Sequence, residues 1–390
     1  MDSKFKRKSK GDRPVVAICY DFDKTLSPDD MQAQGFIQSV GYDVKEFWNE
    51  SNNLATDNGM EQNLAWMFMM KESADAKRKK ITKKDLQDYG AQVKLFPGVE
   101  DWFSRIRQFG IEQDVIVEHY IISSGLKEMI EGTSVAEEFE SIYASSFYFN
   151  NYGVPVWPAQ AINYTNKTQF LFRIEKGVLD VNDQGVNDKF SPDKIRVPFR
   201  NMIYVGDSDT DIPCMKLVNS YGGYSIGVYN ADTKDKNKVY KMMRESRIGY
   251  FAAADYTENS ELDSLVKDII KRTAVNEKLE ERHLKGENEQ KLSDRENDKH
   301  AHELEKLDGI ISLESSSSFA NTHTIISTIN HIHDWTNSEI EELFEIALTN
   351  SQVNYIIDDA DVKRFFKGLL ESKACDSSTE NAEKVIQLFE

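Results

Sequence analysis

Short apolar runs alternate with helical patterns along the first part of this chain. Val15-Val16-Ala17-Ile18-Cys19-Tyr20 is followed by Asp21-Phe22-Asp23-Lys24-Thr25. A second run, Asn201-Met202-Ile203-Tyr204-Val205, leads into Gly206-Asp207-Ser208-Asp209-Thr210-Asp211. Short β-rich runs that stop at Gly/Asp/Ser clusters predict buried parallel strands. Further strands are expected from Glu118 to Ile122, Ser141 to Ala144, Tyr224 to Val228 and Gly249 to Ala253. Strands alternating with helical segments over residues 14–31 and 95–271 predict an α/β core, a doubly wound, mainly parallel, Rossmann-like sheet.

Residues 32–94 interrupt this alternation and read as a helical insert. Its segment Leu64-Ala65-Trp66-Met67-Phe68-Met69-Met70 is apolar nearly all round, which predicts a buried helix rather than a pocket lining. The main domain resumes near Phe96-Pro97-Gly98. From 272 to 320 charge is dense and apolar positions are sparse, so an exposed helix or partly disordered linker is expected. Helical patterning returns over 321–390 as a small module, with Ser338 and Glu341 fitting a capping box and Asp361 preceding an amphipathic helix. Residues 1–13 carry Lys4, Lys6, Arg7, Lys8 and Lys10 without an apolar signal core, and are expected to form a flexible basic tail.

Composition narrows the function classes. The chain has 390 residues and is 39% hydrophobic, enough for two or three domains with real cores. A formal net charge of −18 argues against a general nucleic-acid or anionic-membrane binder. Cys19, Cys214 and Cys375 are odd in number and widely spaced, which points to reduced thiols and a cytoplasmic protein. The basic run from Lys77 to Lys84 reads as a solvated helix face. His323, His331 and His333 have no zinc-ligand spacing.

The chemistry concentrates at the strand ends. Ligands of open α/β sheets bind outside the carboxyl ends of the strands. Carboxylates about 4 Å apart there repel by roughly 4 kcal/mol at an effective dielectric near 20. Such crowding calls for captured protons or a hard cation, and an all-oxygen site suits magnesium.

Four elements occur in order: Asp21-x-Asp23-x-Thr25 after a strand, Ser123 closing Tyr120-Ile121-Ile122, Lys167 ahead of a helix, and Gly206-Asp207-x-x-x-Asp211. This set resembles the haloacid dehalogenase superfamily, in particular its phosphoserine-phosphatase-like branch with a helical cap after the first motif. The resemblance covers roughly residues 14–271 and leaves out the C-terminal third. It implies Asp21 as the nucleophile that becomes an aspartyl phosphate, and Asp23 as general acid and then base. It implies Mg2+ held by Asp207, the Asp21 carboxylate and the Asp23 backbone carbonyl, with Asp211 orienting the metal site or Lys167. Ser123 would bind the phosphoryl oxygens and Lys167 would neutralise the nucleophile and the transferring group. Lys194 competes for the role of Lys167, and Ser124 for that of Ser123. Thr25 is expected to fix the loop after the first strand, and Asp209 to be solvated.

The expectation is a cytoplasmic, magnesium-dependent phosphatase acting on a small phosphomonoester, with the insert as a cap. A phosphotransferase or nucleotide phosphatase on the same site, or a regulatory binding protein, are the alternatives. The C-terminal helices are candidates for binding a protein partner or a second copy.

Overall fold

The computed structural model describes residues 5–233, 235–295 and 298–389. Strands β1 (Val15–Tyr20), β2 (Ile116–Leu126), β3 (Ser141–Phe149), β4 (Pro155–Gln160), β5 (Met202–Gly206), β6 (Tyr224–Tyr229) and β7 (Tyr250–Ala253) form one sheet in the order β4-β3-β2-β1-β5-β6-β7. All neighbours are parallel except β3 and β4. The chain builds outward from β1 through β2 and β3 on one side, then through β5, β6 and β7 on the other. The order therefore reverses between β1 and β5, where open α/β sheets leave a crevice for ligands.

The uninterrupted apolar run of β1 follows from its central position. Val16, Ile18 and Tyr20 enter the core on one face of the sheet, and Val15, Ala17 and Cys19 enter the core on the other. Helices α1 (Phe36–Ser39), α2 (Val44–Asn58), α3 (Gln62–Ala76) and α4 (Lys83–Gly90) make up the insert. Phe36, Phe47, Trp66, Met67, Met70 and Leu86 belong to the same apolar cluster as Val16 and Ile18, so the insert extends the core rather than forming a separate one. Trp66, Met67 and Met70 are buried, as expected of this helix, while Phe68 is exposed.

Helices α5 (Val99–Glu112), α6 (Lys127–Ile130), α7 (Thr168–Lys176), α8 (Ile212–Ser220), α9 (Asn237–Arg244) and α10 (Glu261–Arg295) follow. One compact unit extends to Val186 and resumes over Phe190–Lys278, while Asn187–Lys189 and the chain from Leu279 onward form a second. The second contains α11 (Asp298–Glu314), α12 (Phe319–Ile329), α13 (Asn337–Thr349), α14 (Ser351–Tyr355), α15 (Ala360–Leu370) and α16 (Glu380–Gln387). These close around their own core of Leu313, Phe344, Val362, Phe366 and Val385.

Four expectations need correction. Residues 5–10 are not a free tail: the Lys8 N–H donates to the Gly177 carbonyl at 2.8 Å, Arg7 donates to the carbonyls of Lys176 and Lys194, and Lys8 pairs with Glu118 and Glu140. Arg7 and Lys8 find partners more than a hundred residues away that composition does not reveal. Lys4 lies outside the described residues. The charged stretch 272–320 is helical and mostly exposed from 275 to 287, in keeping with an exposed helix, but its ends are not linker. Ala274 is buried in the first core, and Ile310 and Leu313 in the C-terminal one. Lys306 is buried there because its ammonium donates to the Asp334 carbonyl at 2.6 Å and pairs with Glu339. The capping box of α13 uses Thr336 and Glu339, two positions before the expected pair, because both pairs satisfy the same spacing. Finally, β4 escaped sequence reading: Pro155 and Pro158 argue against a strand, yet an edge position tolerates them.

Candidate active site

Strand register brings the two acidic motifs together. Tyr20 pairs with Val205, and the Asp21 N–H donates to the Val205 carbonyl at 3.0 Å. Asp21 and Asp207 therefore leave neighbouring strand ends at the reversal point. Oxygen atoms of Asp21, Asp207 and Asp211 lie within 4.8 Å of one another.

Lys167 enters this cluster from the turn that opens α7. Its ammonium is fully buried, 2.7 Å from Asp211 Oδ1 and 3.2 Å from Asp21 Oδ1. Burial pulls its pKa down, but Asp21 and Asp211 outweigh that and hold it above the usual lysine value. Lys194, the competing candidate, is exposed, and its carbonyl accepts from Arg7.

The carboxylates differ in their surroundings. Asp211 Oδ1 accepts from Lys167 and from the Tyr204 hydroxyl at 2.9 Å, and its Oδ2 accepts from the N–H and the hydroxyl of Ser208, each at 3.1 Å. Both its oxygens are thus occupied. Asp21 Oδ1 is buried beside Lys167 but has no hydrogen-bond partner. Burial raises the Asp21 pKa to about 7, with Lys167 opposing and Asp211 and Asp207 adding to the rise. Burial likewise lifts Asp207, against the pull of Lys238. Asp23 is raised well above the carboxylate range by burial first, then by Asp30 and Asp21. Its Oδ1 accepts the Met31 N–H at 2.8 Å.

These groups open onto a cleft of about 270 Å³. Asp21, Asp23 and Asp207 line it with Ser123 and Ser124. Ser123 is buried and its hydroxyl accepts the Gly125 N–H at 3.1 Å. Asp209 is exposed. Thr25 is buried in the loop after β1, and its carbonyl accepts the Tyr256 hydroxyl at 2.8 Å.

Other cleft residues gave no motif signal. Glu61, Gln62 and Asn63 come from the start of α3, Asn163 and Tyr164 from the turn after β4, and Lys238 from the first turn of α9. Lys24 and Asp30 also line the cleft, and the Lys24 ammonium grips both Asp30 oxygens at 2.8 and 2.9 Å. Lys24 sits inside the first motif and could have been suspected. The others required the path of the chain. The basic run of the insert is directed elsewhere: Lys83 pairs with Glu131 and Lys84 with Asp88.

The seven-stranded sheet, with acidic motifs at neighbouring strand ends, is the α/β arrangement that the resemblance implied. No family model matches the sequence. A Borreliella burgdorferi protein titled "Uncharacterized protein" is 25% identical over 284 residues, covering 66% of this chain and 96% of its own. A haloacid dehalogenase-family hydrolase from Salmonella enterica serovar Typhi is 15% identical, with a TM-score of 0.43, covering 66% of this chain and 72% of that one. A probable phosphoserine phosphatase from Vibrio cholerae is 12% identical, with a TM-score of 0.44, covering 68% and 67%. These likenesses are distant, and the chemistry below stands on the residues of the site. No helix among the described residues is long and apolar enough to cross a membrane.

Proposed function

We propose that the chain is a magnesium-dependent phosphohydrolase of the haloacid dehalogenase type, acting on a small phosphomonoester through an aspartyl phosphate on Asp21. The observation that carries this reading is the convergence of Asp21, Asp23, Ser123 and Asp207 on one cleft, with the Lys167 ammonium 3.2 Å from Asp21.

A hard cation fits the donor set. The cluster offers only oxygen atoms, and Asp21 Oδ1 lacks a hydrogen-bond partner. Asp21 and Asp207 would hold the ion, while the four hydrogen bonds on Asp211 suit it to holding Lys167. Bound magnesium would offset the carboxylate charges and polarise a phosphoryl oxygen.

The residues then divide the work. An Asp21 carboxylate oxygen attacks phosphorus as the bond to the leaving oxygen breaks. Asp23, whose pKa burial raises, gives its proton to that oxygen. Water next attacks the aspartyl phosphate and yields a proton to Asp23, releasing phosphate and restoring Asp21. Lys167 and the Ser123 hydroxyl stabilise the transferring oxygens. Glu61, Gln62 and Asn63 bring the insert to the cleft wall, where it would face the leaving group, select the substrate and exclude water.

The test is phosphate release from p-nitrophenyl phosphate and a panel of phosphorylated metabolites with Mg2+. Turnover that disappears in Asp21→Asn supports the reading, and no magnesium-dependent release from any compound refutes it. Adding alcohol acceptors separates hydrolysis from phosphotransfer.

A further inference from the structure

Lys238 stands against a proposed metal ligand, yet it lies outside every motif that the site uses. It sits in the first turn of α9, eight residues of helix whose Val239 and Met242 are buried and fix its orientation. The Lys238 ammonium donates to Asp207 Oδ2 at 3.0 Å. Its side chain is 46% exposed and that of Asp207 11%, so the pair lies at the cleft wall with one side open to water. Lys24, the neighbouring cation, differs because Asp30 grips it through both oxygens. Among the described residues, the only carboxylate paired with Lys238 is Asp207.

We propose that Lys238 is a tethered counter-ion for Asp207. It neutralises this carboxylate in the metal-free protein, gives way to the divalent ion, and then presents its ammonium to the phosphoryl oxygens of the substrate. This rests on the reading of Asp207 as a metal ligand. Two properties of the pair support the exchange. An ammonium on a flexible stem can swing aside without moving the helix, whereas the buried Lys167 has no such freedom. A pair whose cation is half-exposed is also weak enough for an arriving ion to displace. Lys238 lines the cleft together with Ser208 and Thr210, so a freed ammonium would remain within it.

Lys238 should therefore lower the affinity for Mg2+ while improving the capture of substrate. Isothermal calorimetry with MgCl2 alone, on the full chain at low salt, reads the first effect. Lys238→Met should bind Mg2+ about three- to tenfold more tightly than the parent protein, the range set by a partly exposed ion pair and the loss of a nearby positive charge. The gain should shrink as added salt screens the pair. Lys238→Arg should restore the parent affinity, and Lys241→Met, an exposed change on the same helix, should leave it alone. At saturating Mg2+, Lys238→Met should raise KM for the hydrolysed phosphomonoester by about threefold or more, with a smaller change in kcat. An Mg2+ affinity in Lys238→Met that is equal to or weaker than the parent's overturns the proposal, as does an unchanged KM. The hydrolase reading fails separately, if the parent binds Mg2+ but releases no phosphate from any substrate.

Discussion

Replacing Lys167 by methionine keeps much of the side-chain volume and removes the buried ammonium. The 2.7 and 3.2 Å contacts to Asp211 and Asp21 are each attractive by roughly 5–6 kcal/mol at an effective dielectric near 20, before desolvation is subtracted. Most of that attraction offsets the cost of burying the charges. The variant, however, leaves carboxylates buried without their partner, which costs about 3–5 kcal/mol. For a unit of this size that is a fall in Tm of roughly 6–20 °C. Urea unfolding in the presence of EDTA, followed by tryptophan fluorescence, would measure it, since Trp48, Trp66, Trp102 and Trp157 report on the first unit and Trp335 on the second. Adding Asp211→Asn should recover about 1 kcal/mol or more by removing one of the abandoned charges. Turnover of Lys167→Met with Mg2+ should fall by about 10²–10³, the usual loss when one donor to a transition-state oxyanion is removed. A variant within 1 kcal/mol of the parent that also turns over within tenfold of it would refute the assignment of this lysine.

Three further outcomes are expected. Glu128 is buried, its Oε1 accepts the Phe147 N–H at 3.1 Å and its Oε2 has no partner; burial lifts its pKa to about 7 from 4.5. Between those values the folded protein holds a proton that the unfolded chain has released, so this group makes stability fall as pH rises from about 4.5 to 7, by up to about 3 kcal/mol. Glu128→Gln should be more stable than the parent at pH 8 but not at pH 4.5, and an equal difference at both, in urea titrations, would contradict this. Tyr256→Phe removes the hydroxyl that holds the Thr25 carbonyl of the nucleophile loop; it should cost about 1 kcal/mol and lower kcat several-fold, so parental kcat would rule out a positioning role. Chelation with EDTA should abolish turnover and lower Tm, and titrating Mg2+ back should raise Tm with concentration, whereas a Tm indifferent to Mg2+ would argue against ion binding at the carboxylates.

The chain's order of strands and strand-end aspartates could be read locally. β1 is buried on both faces, so its six apolar residues mark it without ambiguity, and Asp21 and Asp207 follow their strands directly. The helical character of the insert was equally plain from its apolar spacing. Other features depended on segments far apart in sequence. A helix directly after Lys167 already favours it over Lys194 in the sequence; the path of the chain into α7 adds that one ammonium is fully buried against Asp21 and Asp211 while the other side chain is exposed. The N-terminal lysine and arginine residues looked free because their carboxylate and carbonyl partners lie more than a hundred residues away. The edge strand β4 was concealed by prolines that only an unpaired edge can accept. Lys238 and the Glu61–Asn63 turn carry no motif at all, and they reach the cleft because helix packing points them there. Local periodicity encodes which face of an element is buried; which distant side chains meet at its end is decided by packing and register.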